Sequence, residues 1–273
     1  MRRLRWLLLA AVLVTTLQPA TANIIDGKDD RGSLLTLGPK LGLSGKEIAR
    51  IRKTSGHVAC FSPQPMVASG ALFLANDLVL TAAHIFFTAD GQRASKCFFR
   101  QQAPGSDWLP FKTDAANTRF GAVPPKPGSN SDWAIVRLAT PIEGVESFPP
   151  AATPPSTGEA LIVLTAHPVD MEAMDPNVPV VVGCKVRRVP GSTAATNFYR
   201  SDCDATGGAS GGMHLARVDG RLVFRAITIS TGPWRDAKLV GAPYDEKAGS
   251  VTTALTTDAA ILAAAKSLRS GEK

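Results

Sequence analysis

The sequence predicts an all-β protein, a sandwich or a barrel, on three observations. Short apolar runs recur from residue 66 onward with turn residues between them. Two of these runs flank Asp219-Gly220, a strong two-residue hairpin signal. Helical patterning is confined to the C-terminal end.

In chain order, residues 67–74 form the first strand candidate, closed by Asn76-Asp77 as a turn. Residues 78–80 resume the strand. Further candidates lie at 133–138 and 160–164, and 178–189 is rich in valine, which suits a pleated surface. Residues 214–218 and 221–229 are the arms of the Asp219-Gly220 hairpin. Pro/Gly-rich loops fall at 121–131 and 148–158, and the second is placed to join two β subdomains, about 54–150 and 151–256. Thr257 or Asp258 caps a helix over 259–268, rich in Ala and Leu. Residues 23–53 are polar and Gly-rich, with few periodic apolar positions, and are read as an N-terminal extension.

The first 22 residues have the order of an export signal. Three arginines within residues 1–5 precede an apolar run over 6–17, and Ala20-Thr21-Ala22 supplies small residues at the cleavage positions. The alternative is a membrane anchor, but the run is short of the ~20 residues needed to span a bilayer. Cleavage after Ala22 gives a secreted or periplasmic protein without a stable membrane anchor. It also lowers the net charge from +7 to +4. The remaining basic residues are scattered, whereas a nucleic-acid groove needs them clustered, so no nucleic-acid partner is expected. Cys60, Cys97, Cys184 and Cys203 make an even number in an exported chain, which reads as two disulfides with three possible pairings. No ligand set converges for a metal and no cofactor is expected.

Three local patterns carry chemistry. In Leu80-Thr81-Ala82-Ala83-His84, a strand ends in small residues that let the backbone turn and leave an imidazole facing a cleft. Histidine takes and returns a proton near neutral pH. In Asp132-Trp133-Ala134-Ile135-Val136, a carboxylate stands at the start of an apolar strand, where it can accept an N–H from histidine and fix its tautomer. In Gly207-Gly208-Ala209-Ser210-Gly211-Gly212, glycines allow a sharp bend that exposes the hydroxyl and aims the Gly208 and Ser210 N–H groups into open space. Each pattern alone has a structural explanation: a packed histidine, a turn aspartate, a flexible loop. Together they supply a nucleophile, its base and the acid that orients the base.

In this order, the three patterns resemble those of the chymotrypsin-like (trypsin-fold) serine peptidases, over roughly residues 24–258. Gly27-Lys28-Asp29-Asp30-Arg31 and Asp202-Cys203-Asp204 are similar to bacterial glutamyl-endopeptidase-like members. The resemblance implies two antiparallel six-stranded β-barrels with a cleft between them and a C-terminal helix. It implies a secreted serine endopeptidase acting on protein or peptide substrates through an acyl-enzyme. His84 is then the base, Asp132 its orienter, Ser210 the nucleophile, and the Gly208 and Ser210 N–H groups the oxyanion hole. Ser230, Thr231 and Gly232 lie on the strand that pairs with the substrate backbone and walls the pocket for the side chain preceding the cleaved bond. The disulfides become Cys60–Cys97, bracketing His84, and Cys184–Cys203, ahead of the serine loop.

Two positions bear on activation and specificity. Most digestive-type members carry aspartate before the serine, to pair with a freed N-terminus; here that residue is Ala209. Asp204, six residues before Ser210, matches the acidic pocket residue of trypsin-type enzymes and implies Arg or Lys at the cleavage site. The other reading makes Asp204 a structural hydrogen-bond acceptor. The pocket histidine of glutamyl enzymes has no counterpart among residues 228–232. His57, His167 and His214 fit no catalytic spacing, and His214 reads as a packing or solvent-facing residue. An α/β-hydrolase would place its histidine well after the serine, whereas His214 follows by four residues. The remaining alternative is a catalytically inactive trypsin-fold protein acting as a binding module.

Overall fold

A computed structural model of the chain describes residues 22–166, 168–171, 174–190, 197–232 and 236–270. Most of the expected export signal, and His167, therefore lie outside the described residues.

Residues 23–54 hold more structure than the sequence reading gives them. After the short strand β1 (Gly32–Ser33) and the single turn α1 (Leu34–Leu37) comes a ten-residue helix, α2 (Gly45–Thr54). The expectation of a helix only at the C-terminus is corrected here. The cause is a capping box: the Ser44 hydroxyl accepts the Glu47 N–H, and the Glu47 carboxylate accepts the Ser44 N–H at 2.8 Å. Ile48 and Ile51, three apart, turn one face of α2 onto the core.

Seven strands follow in the first half: β2 (Ser55–Ser62), β3 (Met66–Leu72), β4 (Leu78–Thr81), β5 (Ser95–Gln101), β6 (Leu109–Lys112), β7 (Thr118–Phe120) and β8 (Ala134–Leu138). They run antiparallel in the order β4-β3-β2-β5-β6-β8, and β4 pairs with β8 to close a six-stranded barrel, with β7 added alongside β8. The second half contributes β9 (Ala160–Thr165), β10 (Val180–Arg188), β11 (Phe198–Ser201), β12 (Met213–Val218), β13 (Arg221–Thr231) and β14 (Thr252–Thr256). Their order β10-β11-β14-β13-β12-β9 closes through β9 and β10 into a second six-stranded barrel, with β1 laid on β10. Closure removes the unpaired edges that open sheets must protect. The β12–β13 turn sets Asp219 at φ 47° and Gly220 at φ 75°, both left-handed as a two-residue hairpin requires.

Cys60 on β2 and Cys97 on β5 stand directly opposite each other and are bridged. Cys184 on β10 is bridged to Cys203, just beyond β11. Each disulfide staples one barrel and contributes about 2–4 kcal/mol, largely by restricting the unfolded chain.

The largest buried cluster belongs to neither barrel alone. It joins Phe73, Leu78, Leu80 and Ile135 of the first to Met213, Leu215, Phe224 and Ile227 of the second. The Phe73 and Phe224 rings meet edge-on with centroids 5.2 Å apart. Helix α3 (Ala259–Ser270) leaves the second barrel and returns to the first. Asp258 caps it, accepting the Ile261 N–H at 2.9 Å. Ile261, Ala265 and Leu268, at a spacing of four and three, bury into the shared core, while Arg137 on β8 donates to the Leu268 carbonyl.

Phe224 is fully buried in this seam. Phe224→Ala is expected to destabilise the protein by about 3–5 kcal/mol, read as a lower midpoint in denaturant unfolding.

Candidate active site

His84, Asp132 and Ser210 come together where the two barrels meet. His84 sits in a short helical turn, Ala83–Phe86, entered directly from β4. The small residues Ala82 and Ala83, both fully buried, let the chain bend there. Asp132 precedes β8, which pairs with β4, so the two residues are carried on adjacent strands of one barrel. Ser210 lies on the loop ahead of β12 in the other barrel.

The Asp132 carboxylate is fully buried and satisfied by three donors. It accepts the His84 main-chain N–H at 2.9 Å, the His84 Nδ1–H at 2.8 Å and the Gly128 N–H at 2.7 Å. A carboxylate only accepts, so the proton of the neutral imidazole resides on Nδ1. Nε2 is thereby left as an acceptor, 2.9 Å from the Ser210 Oγ. The three side chains form one continuous line from the core of the first barrel to the rim of the second.

The serine loop is held by main-chain bonds. Gly211 N–H donates to the Thr228 carbonyl at 2.7 Å, and Thr228 N–H returns to the Gly212 carbonyl at 2.9 Å. Gly212 N–H donates to the Ala209 carbonyl at 2.8 Å. Gly208 has φ +89° and Gly211 φ +78°. At Gly211 a Cβ would lie 2.1 Å from the Ser69 carbonyl oxygen, so no side chain fits. Among the described residues, the N–H groups of Gly208 and Ser210 find no acceptor within the protein.

Ser230 and Thr231 end β13 beside this loop, paired to Thr253 and Thr252 of β14, and Gly232 follows directly. A Cβ at Gly128 would come within 3.3 Å of the Ser230 Cβ, so the strand end abuts the loop that feeds Asp132. Gly232 is packed against Gly249 and the Asn23 side chain.

Asp204 stands elsewhere. Its carboxylate accepts the Ile25 N–H at 2.8 Å and the Asp30 N–H at 2.9 Å, so both oxygens are committed to the N-terminal segment. It lines a cavity of about 620 Å³ with Ile25, Asp30, Lys185 and Leu215, and no member of the His84, Asp132, Ser210 set reaches that cavity. The geometry is that of the structural acceptor, which corrects the expectation that Asp204 faces a substrate cation. Burial pushes its pKa up to about 6, against the lowering effect of the two N–H donors. Main-chain bonds in both directions between Asn23 and Ala205, at 2.8 and 3.2 Å, continue the attachment. Arg31 completes it by pairing with Asp170 at 2.6 Å.

His57 and His214 stand apart from this line. His57 is buried on β2, its Nε2 2.8 Å from the Pro176 carbonyl oxygen. His214 is fully buried on β12, between the Tyr199 and Thr228 hydroxyls at 2.8 Å each, and burial drives its pKa down to about 3. It is therefore a neutral packing residue. Gly128, whose N–H completes the shell of Asp132, was missed in the sequence, because a glycine in a Pro/Gly-rich loop looks like any other turn residue.

A family model described as a trypsin-like peptidase domain matches residues 68–223. Among solved structures, a Glu endopeptidase in complex with MPD is similar at 15% identity and a TM-score of 0.65, over 90% of this chain and all of that one. The protease Anisep from Arthrobacter nicotinovorans is 14% identical with a TM-score of 0.58, over 81% of this chain and 97% of that one. An HtrA-type protease, AlgW with tripeptide, is 12% identical with a TM-score of 0.54, over 82% of this chain and 63% of that one. At these identities the likeness is one of fold. No curated protein matches the chain.

The raised pKa of Asp204 fixes a sign. Above pH ~4 the unfolded carboxyl is ionised while the folded one still holds its proton, so the folded state binds more protons and is favoured in acid. That contribution is lost as pH rises through about 6. Asp204→Asn is expected to abolish it. The difference in stability between the native protein and the variant should therefore become less favourable to the native protein from pH 4 to pH 6.5, measured by denaturant midpoints across that range.

Proposed function

Because the chain belongs to the trypsin-like peptidase family, we propose that it is an exported serine endopeptidase that cleaves protein or peptide substrates through an acyl-enzyme on Ser210. The observation that carries this reading is the unbroken line from Asp132 through His84 to Ser210, with contacts of 2.8 and 2.9 Å.

As Ser210 Oγ attacks the scissile carbonyl carbon, its proton passes to His84 Nε2. The imidazolium that forms keeps its Nδ1–H on the buried Asp132, which stabilises the new charge without taking the proton. The carbonyl π electrons move to oxygen, and the N–H groups of Gly208 and Ser210 receive that oxyanion. Collapse expels the amine, which takes its proton from Nε2, and leaves the ester. Water then repeats the sequence from the other side, giving its proton to His84 and releasing the acid. The end of β13 at Ser230 and Thr231 offers main-chain groups to an extended substrate, a strand addition that holds the scissile bond near Ser210. Export is supported by the order of residues 1–22 and by the two disulfides, which persist in oxidising compartments.

A fluorophosphonate probe is expected to label the mature, oxidised protein once, at Ser210, with Ser210→Ala abolishing the label; mass spectrometry of the labelled peptide reads the site. An intact, oxidised chain that takes no label supports instead the inactive binding module. Asp132→Asn should keep the fold and lower kcat by on the order of 10⁴-fold, since an amide can leave the imidazole in the wrong tautomer. Steady-state kinetics on a peptide found by library cleavage checks the loss.

A further inference from the structure

Ser69 lies on β3 of the first barrel and is 2% exposed. A hydroxyl buried this deeply is costly unless its hydrogen bonds are made, and this residue makes contacts in four directions. Its N–H donates to the Ser210 carbonyl at 2.9 Å. Its carbonyl accepts the Thr81 hydroxyl at 2.7 Å. Its Oγ accepts the Ala166 N–H at 2.9 Å, just past β9 of the second barrel. Its hydroxyl donates to the Gly208 carbonyl at 2.8 Å. A hydroxyl has one proton to give. Here it goes to Gly208.

That carbonyl is in a sensitive place. It belongs to the peptide unit between the Gly208 N–H and the Ser210 N–H, the two groups that receive the oxyanion. Gly208 has φ +89° and, lacking a Cβ, has other backbone conformations open to it. Turning its peptide units would swing an N–H out of the cleft. Ser69 holds the carbonyl of Gly208 with its side chain and that of Ser210 with its main chain, so residues 208–210 are clamped at both ends from the opposite barrel.

We propose that the Ser69 hydroxyl is the positioning residue of the oxyanion site, holding the Gly208 and Ser210 N–H groups convergent before the substrate arrives. The proposal rests on the reading of Ser210 as the nucleophile. Ser69 touches no reacting atom and acts through Gly208. Its loss withdraws stabilisation from the transition state while leaving substrate binding and the His84 base in place, so the defect belongs to kcat.

The test uses the mature, oxidised protein and a peptidyl trifluoromethyl ketone built on its preferred peptide. Ser210 Oγ adds to the ketone carbon, its proton passes to His84, and the former carbonyl oxygen becomes a hemiketal oxyanion in the site. Fluorine NMR follows the titration of that oxygen. In Ser69→Ala, kcat is expected to fall on the order of 10-fold, less than the ~100–1000-fold for deleting a direct donor. KM and the acid limb of the pH–rate profile stay unchanged, and the hemiketal titrates about one pH unit higher, the same tenfold expressed as proton affinity. Ser69→Thr keeps the donor and should restore both readouts. Unchanged kcat and titration in Ser69→Ala overturn the proposal, as does a loss that appears only in KM. A Ser69→Ala chain that fails to fold, with Ser69→Thr folded yet as slow as the alanine variant is predicted to be, overturns it as well. A native protein that forms no hemiketal at Ser210 removes the underlying reading itself.

Discussion

Everything at the site depends on how the two barrels pack against each other. His84 and Asp132 come from one barrel and Ser210 from the other, and they meet across a contact of 2.9 Å. A displacement of about 1 Å would open that contact, and misplacement of this size is costly in catalysis. The seam is built to resist it. Its core is apolar and shared, with Phe73 set edge-on to Phe224. Helix α3 returns from the second barrel to the first and buries Ile261, Ala265 and Leu268 between them. At the cleft itself the barrels approach until backbone touches backbone: a Cβ on Gly211 would overlap the Ser69 carbonyl. Close-packed interiors transmit strain rather than absorb it, so the register of the seam and the geometry of the site are one constraint.

The polar groups of the site obey the same logic. Asp132 is removed from water, and its cost of burial is offset by three N–H donors rather than by a counter-charge. Two of those donors come from His84 itself, which fixes the ring in orientation as well as in tautomer. The third comes from Gly128, on the loop that also meets Ser230. Asp132 is thus joined through one glycine to the strand end proposed to hold the substrate.

The sequence was most informative where chemistry or turn geometry forces a residue type. Histidine after Thr-Ala-Ala, aspartate before an apolar strand and serine among glycines could be read because few other residues serve those roles. Asp219-Gly220 was legible because both positions need left-handed backbone. Alternation failed for β2, where Ser55 through Cys60 are all buried. Small and mixed residues in such a strand leave no period of two to detect. Helix α2 was missed although Ser44 and Glu47 spell its capping box; the polar and glycine-rich surroundings hid a face of only two isoleucines. Ser69 could not be found at all. A serine in a strand looks the same whether its hydroxyl meets water or the Gly208 carbonyl, and the partner is 139 residues away. Spacing within the chain identified the line of three residues, but only the packing of the barrels identifies what steadies it.

Asp204 shows how the second barrel dispenses with an acid beside the serine. In that place is Ala209, buried and unable to pair with an amine. The carboxylate of Asp204, six residues before Ser210, accepts two main-chain N–H groups from residues 25 and 30. It therefore needs chain, not charge. A segment held by amide donors can dock wherever the backbone runs, without a free terminus to supply a cation. The consequence is visible around it: Asn23 bonds in both directions to Ala205, its side chain packs beneath Gly232, and Arg31 fixes the far end to Asp170. Val169, one residue before that anchor, donates to the Gly207 carbonyl at the start of the serine loop. The N-terminal segment is thus built into the wall behind the loop.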